Sequence, residues 1–172
     1  VLAAGEHVYV YGFEERPGKP FPARRLVVAR APVKQLADFD TWRFLGANGE
    51  WTADPKDAAG LVGGVGTEMS VSYVPGLKRY ALVTTENGLS DRIVGRFAAA
   101  PEGPWSEPVV LYTCPEMKRD ERVFTYAAKA HPHLAANGNE LVVSYVVNSF
   151  DLAPVLNDAG LYRPRFVRVG LK

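Results

Sequence analysis

The sequence predicts an all-β fold of the β-propeller type, with about two and a half blades present in this chain. Segments that alternate apolar and polar residues recur along the chain, and this period of two is typical of β-strands. Sixteen Gly and 13 Pro punctuate the chain, as expected for short strands joined by turns. The order of strands and turns also repeats, and repeats of four short strands are typical of propeller blades.

The composition excludes several classes of protein. With 20 Lys+Arg against 19 Asp+Glu, the 172-residue chain has a formal charge of +1 and no charged block. We therefore expect neither nucleic acid nor a membrane as a partner, and no helix-like apolar run is long enough to span a bilayer. The single cysteine, Cys114, excludes an internal disulfide and any multi-cysteine metal site. Because the chain begins at Val1 without a recognisable signal peptide, we interpret it as a processed or excised fragment.

Three strands are predicted in the first third of the chain. Residues 6–13 (EHVYVYGF) alternate along the segment, and residues 24–32 (RRLVVARAP) follow a loop rich in Gly and Pro. Residues 38–51 add a strand closed by a turn at Asn48-Gly49, a dipeptide typical of tight hairpins.

The same order of elements then returns. Residues 78–86, 92–101 and 103–112 repeat the series of strand, turn, strand containing Arg, loop, Trp and strand. A third copy begins at residues 139–148 and continues at 163–171. The recurrence indicates one structural unit used three times.

The spacing of equivalent residues supports this repeat. Arg30 and Arg96 are 66 residues apart, and Arg168 follows Arg96 by 72 residues. The equivalent tryptophans, Trp42 and Trp105, are 63 residues apart. Loops of variable length between blades would produce such unequal intervals.

Two further strands, at 67–74 and 123–134, each precede a copy of the repeat. They are predicted to be the innermost strands of the second and third blades, which brings the count to ten strands. The chain is then a single partial propeller: residues 1–62 hold strands two to four of one blade, 63–122 a complete blade, and 123–172 strands one to three of a third. A self-contained sandwich of ten strands is the alternative.

The first candidate functional residue, Glu68, lies within an apolar, β-branched segment. Alternation along 67–74 places Glu68, Ser70 and Ser72 on one face and larger apolar residues on the other. A carboxylate buried without partners is strongly penalised, so we expect Glu68 to face water, a cation or a ligand at the axial channel of the propeller. A structural ion pair between Glu68 and an arginine is the alternative.

Two further polar stripes accompany the later strands. On 123–134, alternation places Lys129 and His131 on one face, together with Thr125, Ala127 and His133, and Tyr126 on the other. On 139–148, Asn148 ends a stripe with Ser144, and Tyr162 and Arg163 follow in the next loop. Arginine beside an aromatic ring suits the binding of hydroxyls or carboxylates. Channel-filling roles for Lys129 and His131, and an exposed strand edge at 162–165, are the alternatives.

No cofactor is predicted from the residues. The pair His131 and His133 would share a strand face, but two ligands are too few for a structural metal site. A calcium ion bound through water in the axial channel stays open. The sequence also contains no nucleophile-elbow, Walker-type or clustered Cys/His motif.

Several segments together resemble the uncharacterised propeller domains related to arabinanase-like glycoside hydrolases. They are HVYVYG, LVVARAP, DFDTWRFL with GEW, GVGTEMSVSYVPGLKRYALVTTENG, GPWSEPVVLY, YAAKAHPHL, and LVVSYVVNS with LYRPRFVRV. The resemblance implies a five-bladed propeller of which this chain would be the C-terminal half. It also implies an extracellular or periplasmic location, and remaining blades supplied by further sequence or another chain.

The resemblance further implies a carbohydrate site at one mouth of the channel. Such enzymes use two carboxyl groups that flank the glycosidic bond. Glu68 matches the position of the acid, and the partner Asp would lie upstream of Val1. Substrate-binding roles are then expected for Ser70, Lys129, His131, Asn148, Tyr162 and Arg163.

The function that follows is that of a glycoside hydrolase-like propeller acting on an arabinan-like polysaccharide, with Glu68 as general acid. A non-catalytic carbohydrate-binding or interaction propeller is the alternative, and a purely structural domain is a third. The sequence does not indicate the identity of the sugar, the anomeric outcome or the oligomeric state.

Overall fold

The computed structural model describes residues 1–18, 22–118 and 120–171. Twelve strands in this part of the chain form three antiparallel sheets, and each sheet follows chain order without a crossover. The α-helical content of the same residues is one six-residue helix, α1 (Leu152–Asn157). None of the helices in the described ranges has the length and apolar character needed to cross a bilayer. The prediction of an all-β fold is confirmed, and the described residues form three antiparallel sheets.

Sheet 1 contains five strands where three were predicted. Its members are β1 (Leu2–Ala4), β2 (His7–Arg16), β3 (Ala23–Pro32), β4 (Arg43–Leu45) and β5 (Trp51–Thr52). The additional strands, β1 and β5, are short, and tight turns bring them next to their partner strands. Gly5 and Gly49 have φ of 59° and 80°, a backbone conformation that glycine adopts at little cost. Their turns fold β1 onto β2 and β5 onto β4.

Sheet 2 has the four strands predicted for a complete repeat. They are β6 (Met69–Val74), β7 (Arg79–Thr85), β8 (Arg92–Ala98) and β9 (Val109–Thr113). The first strand begins at Met69, so Glu68 immediately precedes the strand on which it was predicted to lie. The backbone of Glu68 therefore lies outside the hydrogen-bonded ladder between β6 and β7.

Sheet 3 has three strands, as predicted: β10 (Val123–Ala130), β11 (Glu140–Ser149) and β12 (Pro164–Gly170). The pairing of β10 with β11 changes register between Tyr126 and Lys129, and Ala127 has a φ of 59°. This β-bulge inverts the alternation. Thr125 and Ala128 are both buried, whereas Lys129 is exposed. The prediction that Thr125 shares a face with Lys129 is wrong, because a bulge adds one residue to the strand and re-aims the side chains around it.

Sheet 2 packs between the other two sheets. Alternation along β7 directs Leu82 into a core with Leu26 and Val28 of sheet 1. The neighbouring Val83 lies in a second core with Val143 of sheet 3. All five side chains are at most 1% exposed, and complete burial of such a side chain stabilises the fold by about 1.5–3 kcal/mol.

Both faces of β6 are consequently covered. Ser72 is only 6% exposed, and the Ser70 hydroxyl accepts a hydrogen bond from the Ala130 amide of sheet 3 at 2.7 Å. The prediction that Ser70 and Ser72 line a ligand channel beside Glu68 is wrong for Ser72. Small side chains at these positions instead allow β10 to approach β6 closely.

A buried charged group ties sheet 3 to the segment after β9. Glu116 is 7% exposed, and its carboxylate accepts hydrogen bonds from the Tyr145 hydroxyl at 3.3 Å. The guanidinium of Arg165 lies 3.4 Å from the same carboxylate. Nearby, Cys114 is fully buried as a free thiol. Burial raises its pKa to about 11, with smaller contributions from Glu116 and Asp91.

Candidate functional site

A polar cavity of about 180 Å³ lies where residues of all three sheets meet. Arg24 comes from sheet 1, Thr67 and Glu68 from the approach to β6, and Tyr126 from sheet 3. The turn between β7 and β8 completes the lining with Asn87, Gly88 and Leu89. Because no single sheet builds the cavity, its shape depends on how the sheets pack.

Hydrogen bonds fix the backbone on both sides of Glu68. The Thr84 hydroxyl accepts from the Gly66 amide at 2.9 Å and donates to the Glu68 carbonyl at 3.1 Å. The Glu68 carboxylate accepts from the Thr67 hydroxyl at 2.6 Å. The ion pairs within the described ranges do not include Glu68, so the alternative of a structural pair with arginine receives no support. The carboxylate is half-buried and directed to a cavity.

The turn opposite Glu68 needs glycine for two reasons. Asn87 and Gly88 both have positive φ, at 55° and 89°, which suits the Asn-Gly sequence of a tight hairpin turn. A Cβ on Gly66 would lie 3.2 Å from the Gly88 Cα, and a Cβ on Gly88 would lie 3.2 Å from the Arg24 guanidinium. The glycines thus bring two loops and an arginine together around the carboxylate.

Arg24 is a member of the site that the sequence analysis missed. Its guanidinium pairs with Glu15 at 2.8 Å and lies 5.5 Å from the centre of the Phe13 ring. Both contacts hold the side chain at the start of β3, where it reaches Gly88 of the neighbouring sheet. Its role depends on packing between sheets, for which an arginine in a strand carries no local signal.

Tyr126 brings further predicted residues to the site. Burial raises the pKa of Tyr126, the neighbouring Tyr162 and Glu68 raise it further, and a hydrogen bond with Asn148 opposes them. The phenol therefore stays protonated and can donate a hydrogen bond. The sequence analysis placed Tyr126 on the opposite face because it did not include the bulge at Ala127.

The other predicted site residues have separate positions. Ser70 is bonded to β10, and the His131 ring lies 2.7 Å from the Ser144 hydroxyl. Lys129 and Arg163 are exposed and make no side-chain hydrogen bond or ion pair among the residues that the structure describes. Glu68 and Tyr126 thus line one cavity, Asn148 and Tyr162 act on the pKa of Tyr126, and Ser70 and His131 have other partners.

The chemistry of the cavity is that of a hydrogen-bonding site with one carboxylate. It offers a guanidinium, an amide, a phenol and the carboxylate of Glu68, which together can donate to and accept from several hydroxyl groups. In the described part of the chain, no group of three or more His, Cys, Asp or Glu side chains could hold a metal ion. Calcium bound through water remains a prediction.

Comparison with known proteins places the chain in a family, and the solved structures of similar fold include one from Bacteroides ovatus. That structure is a crystal structure of a "putative hydrolase" from Bacteroides ovatus, with a TM-score of 0.68 and 21% sequence identity. The match covers 95% of this chain and 42% of the other, so this chain spans less than half the length of that protein. No match was found among curated proteins. A family model for a domain of unknown function, DUF5005, matches residues 1–170, and the chain therefore belongs to that family.

Proposed function

We propose that the protein carrying this chain is a glycoside hydrolase acting on an arabinan-like polysaccharide, with Glu68 as its general acid. The observation that carries the proposal is the Glu68 carboxylate, which is half-buried in a polar cavity and makes no ion pair within the described ranges. The similar fold of a Bacteroides ovatus protein described as a "putative hydrolase" supports the same class of activity.

The residues of the cavity would act in distinct ways. Glu68 would donate its proton to the leaving oxygen of the glycosidic bond, as a general acid must. Arg24, Asn87 and the Tyr126 phenol would bind sugar hydroxyls, with Asn148 and Tyr162 beside them. Glycoside hydrolysis also needs a second carboxylate, and we infer that residues outside this cavity supply it.

We also infer that the three sheets are successive blades of a five-bladed propeller, with blade boundaries at 1–62, 63–122 and 123–172. Each sheet is an antiparallel meander in chain order, as a blade is. The first strand of sheet 3 lies against the first two strands of sheet 2, because Ser70 of β6 accepts from the Ala130 amide and Thr85 of β7 accepts from the Ala128 amide. An extracellular or periplasmic location remains part of this proposal.

The substitution Glu68→Gln tests the acid role in the protein that carries this chain. Loss of a general acid typically lowers the rate by about 10²–10⁴-fold, while an amide of nearly the same shape leaves sugar binding in place. Release of reducing sugar from arabinan measures the rate, and calorimetric titration with arabino-oligosaccharides measures the affinity. Glu107→Gln, at an exposed carboxylate that does not line the cavity, is the matched control. Activity of Glu68→Gln within about twofold of the control would show that the acid role is wrong.

A non-catalytic carbohydrate-binding propeller is the second candidate. The observation that favours it is that Glu68 is the one carboxylate among the described residues lining the cavity, whereas hydrolysis requires two. In this case the native protein binds oligosaccharide without releasing reducing sugar. Tyr126→Phe should then weaken binding, because it removes a hydrogen-bond donor from the cavity without changing its shape.

A further inference from the structure

A second cavity, of about 370 Å³, lies on sheet 1 beside the short 3₁₀ turns that follow β3. Six of its seven lining residues are polar or charged, and they are His7, Arg30, Gln35, Asp40, Thr41 and Arg43, with Pro32 as the seventh. It shares no lining residue with the Glu68 cavity. Arg30 follows Arg24 on β3 by six residues, which corresponds to about 20 Å along a strand. The two cavities therefore lie near opposite ends of β3.

Two arginines face each other across the strands of this cavity. Arg30 of β3 and Arg43 of β4 are direct partners in the antiparallel register, so their side chains extend from the same face of the sheet. Like charges directly opposite each other destabilise a sheet. Among the described residues, neither Arg30 nor Arg43 forms an ion pair with a carboxylate within 4 Å. The repulsion is thus not relieved by an acidic side chain.

Other contacts hold both guanidinium groups in place. The Arg30 guanidinium lies 4.0 Å from the centre of the Trp51 ring, and arginine stacks favourably on tryptophan. Arg43 donates from Nη1 to the carbonyl oxygens of Asp40 and Trp42 at 2.9 Å and 2.7 Å. Its Nε and Nη2 donors make no such bond within the described ranges. They form one edge of the planar fork that binds carboxylate and phosphate with two hydrogen bonds.

The charge balance of the cavity is positive. Two arginines that are always protonated oppose one carboxylate, Asp40. A carboxylate or phosphate group placed between the arginines would remove their mutual repulsion and satisfy the free donors. From this geometry we propose that the cavity is a binding site for a small oxyanion ligand, a carboxylate or a phosphate, clamped between Arg30 and Arg43. The proposal is independent of the role of Glu68.

Calorimetric titration of the protein that carries this chain, with inorganic phosphate and separately with galacturonate, tests the proposal. Sodium chloride keeps the ionic strength constant in both titrations, since exposed charges are screened by salt. We expect Arg43→Gln to weaken binding at least tenfold, because it removes a charged hydrogen-bond donor. Arg43→Lys should recover only part of the affinity because lysine lacks the planar fork. Arg79→Gln, at an exposed arginine that does not line the cavity, is the matched control.

The two probes distinguish the source of the oxyanion. Binding of galacturonate alone supports an acidic sugar, binding of phosphate alone supports a phosphorylated ligand, and binding of both supports a general oxyanion site. Phenylglyoxal labelling followed by peptide mass spectrometry gives a second measurement without substitutions, in which the bound probe should protect Arg30 and Arg43. Failure of both probes to bind the native protein, or equal affinity in Arg43→Gln and Arg79→Gln, would overturn the proposal.

Discussion

Two serines on the same strand should respond to the same substitution with opposite signs. Ser70 and Ser72 both lie on the face of β6 that packs against sheet 3. The Ser70 hydroxyl accepts a hydrogen bond from the Ala130 amide at 2.7 Å, and Ala130 is only 8% exposed. The Ser72 hydroxyl is buried and has no hydrogen-bond partner in the part of the chain that the structure describes.

The expected magnitudes follow from these contacts. Ser70→Ala leaves the Ala130 amide buried without a partner, which costs about 1–3 kcal/mol. Ser72→Ala removes an unsatisfied hydroxyl, so the desolvation penalty of that group disappears and the fold gains about 0.5–1 kcal/mol. For a domain of this size, 1 kcal/mol corresponds to a change in Tm of about 2–4 °C. We therefore expect Tm to fall by about 2–12 °C in Ser70→Ala and to rise by about 1–4 °C in Ser72→Ala.

Urea unfolding followed by tryptophan fluorescence measures the difference. A change in midpoint at constant slope reports stability alone, so the two variants should have midpoints on opposite sides of the native value. Equal destabilisation of both variants would refute the reasoning, since it would mean that the hydrogen bonding of each hydroxyl does not decide whether its removal stabilises or destabilises the fold.

Three further outcomes are expected. Arg165→Met should destabilise the fold by about 2 kcal/mol, because it removes a cation from the buried carboxylate of Glu116; the double variant with Glu116→Gln should recover part of this loss in the same urea assay, and no recovery would contradict it. Gly66→Ala should lower the stability of the fold by about 1 kcal/mol and weaken the binding of arabino-oligosaccharide near Glu68, since its Cβ would press on the Gly88 backbone. An affinity equal to that of the native protein would contradict this expectation. Because the folded-state pKa of Cys114 is raised to about 11, the unfolded chain loses this proton first, so stability should decline between about pH 9 and pH 11. The decline should be shallower in Cys114→Ala, and identical profiles would contradict this.

Most of the strands were predictable because alternation is a local property. The turn at Asn87-Gly88 and the hairpin at Gly49 also follow from residue types that tolerate positive φ. The extra strands of sheet 1 were not predicted because β1 and β5 have only three and two residues, too few to carry a period. Glu68 was identified as a candidate from the unusual position of a carboxylate in an apolar segment.

The surroundings of Glu68 were harder to predict. Ala127 adopts a left-handed φ that nothing in its residue type signals, and this bulge decides on which face Tyr126 lies. Arg24 reaches the cavity only because sheet 1 packs against sheet 2. Ser70 and Ser72 looked like a ligand-facing stripe, but small polar residues also suit a close contact between strands, and alternation alone does not separate the two.

The bulge at Ala127 has a mechanical consequence for the cavity. Upstream of it, Thr125 anchors the strand by donating a hydrogen bond to the Ser90 carbonyl of the neighbouring sheet; downstream, the Ala128 amide donates to the Thr85 hydroxyl. Hydrogen bonds thus fix the strand on both sides of Ala127, and Tyr126 extends from the bulge rather than from a regular strand. Deletion of Ala127 would make β10 a regular strand and turn the Tyr126 phenol away from Glu68. The hydrogen bonds of Thr125 and Ala128 to sheet 2 could then no longer both form. The orientation of the Tyr126 side chain and the packing of sheet 3 against sheet 2 therefore depend on the same bulge.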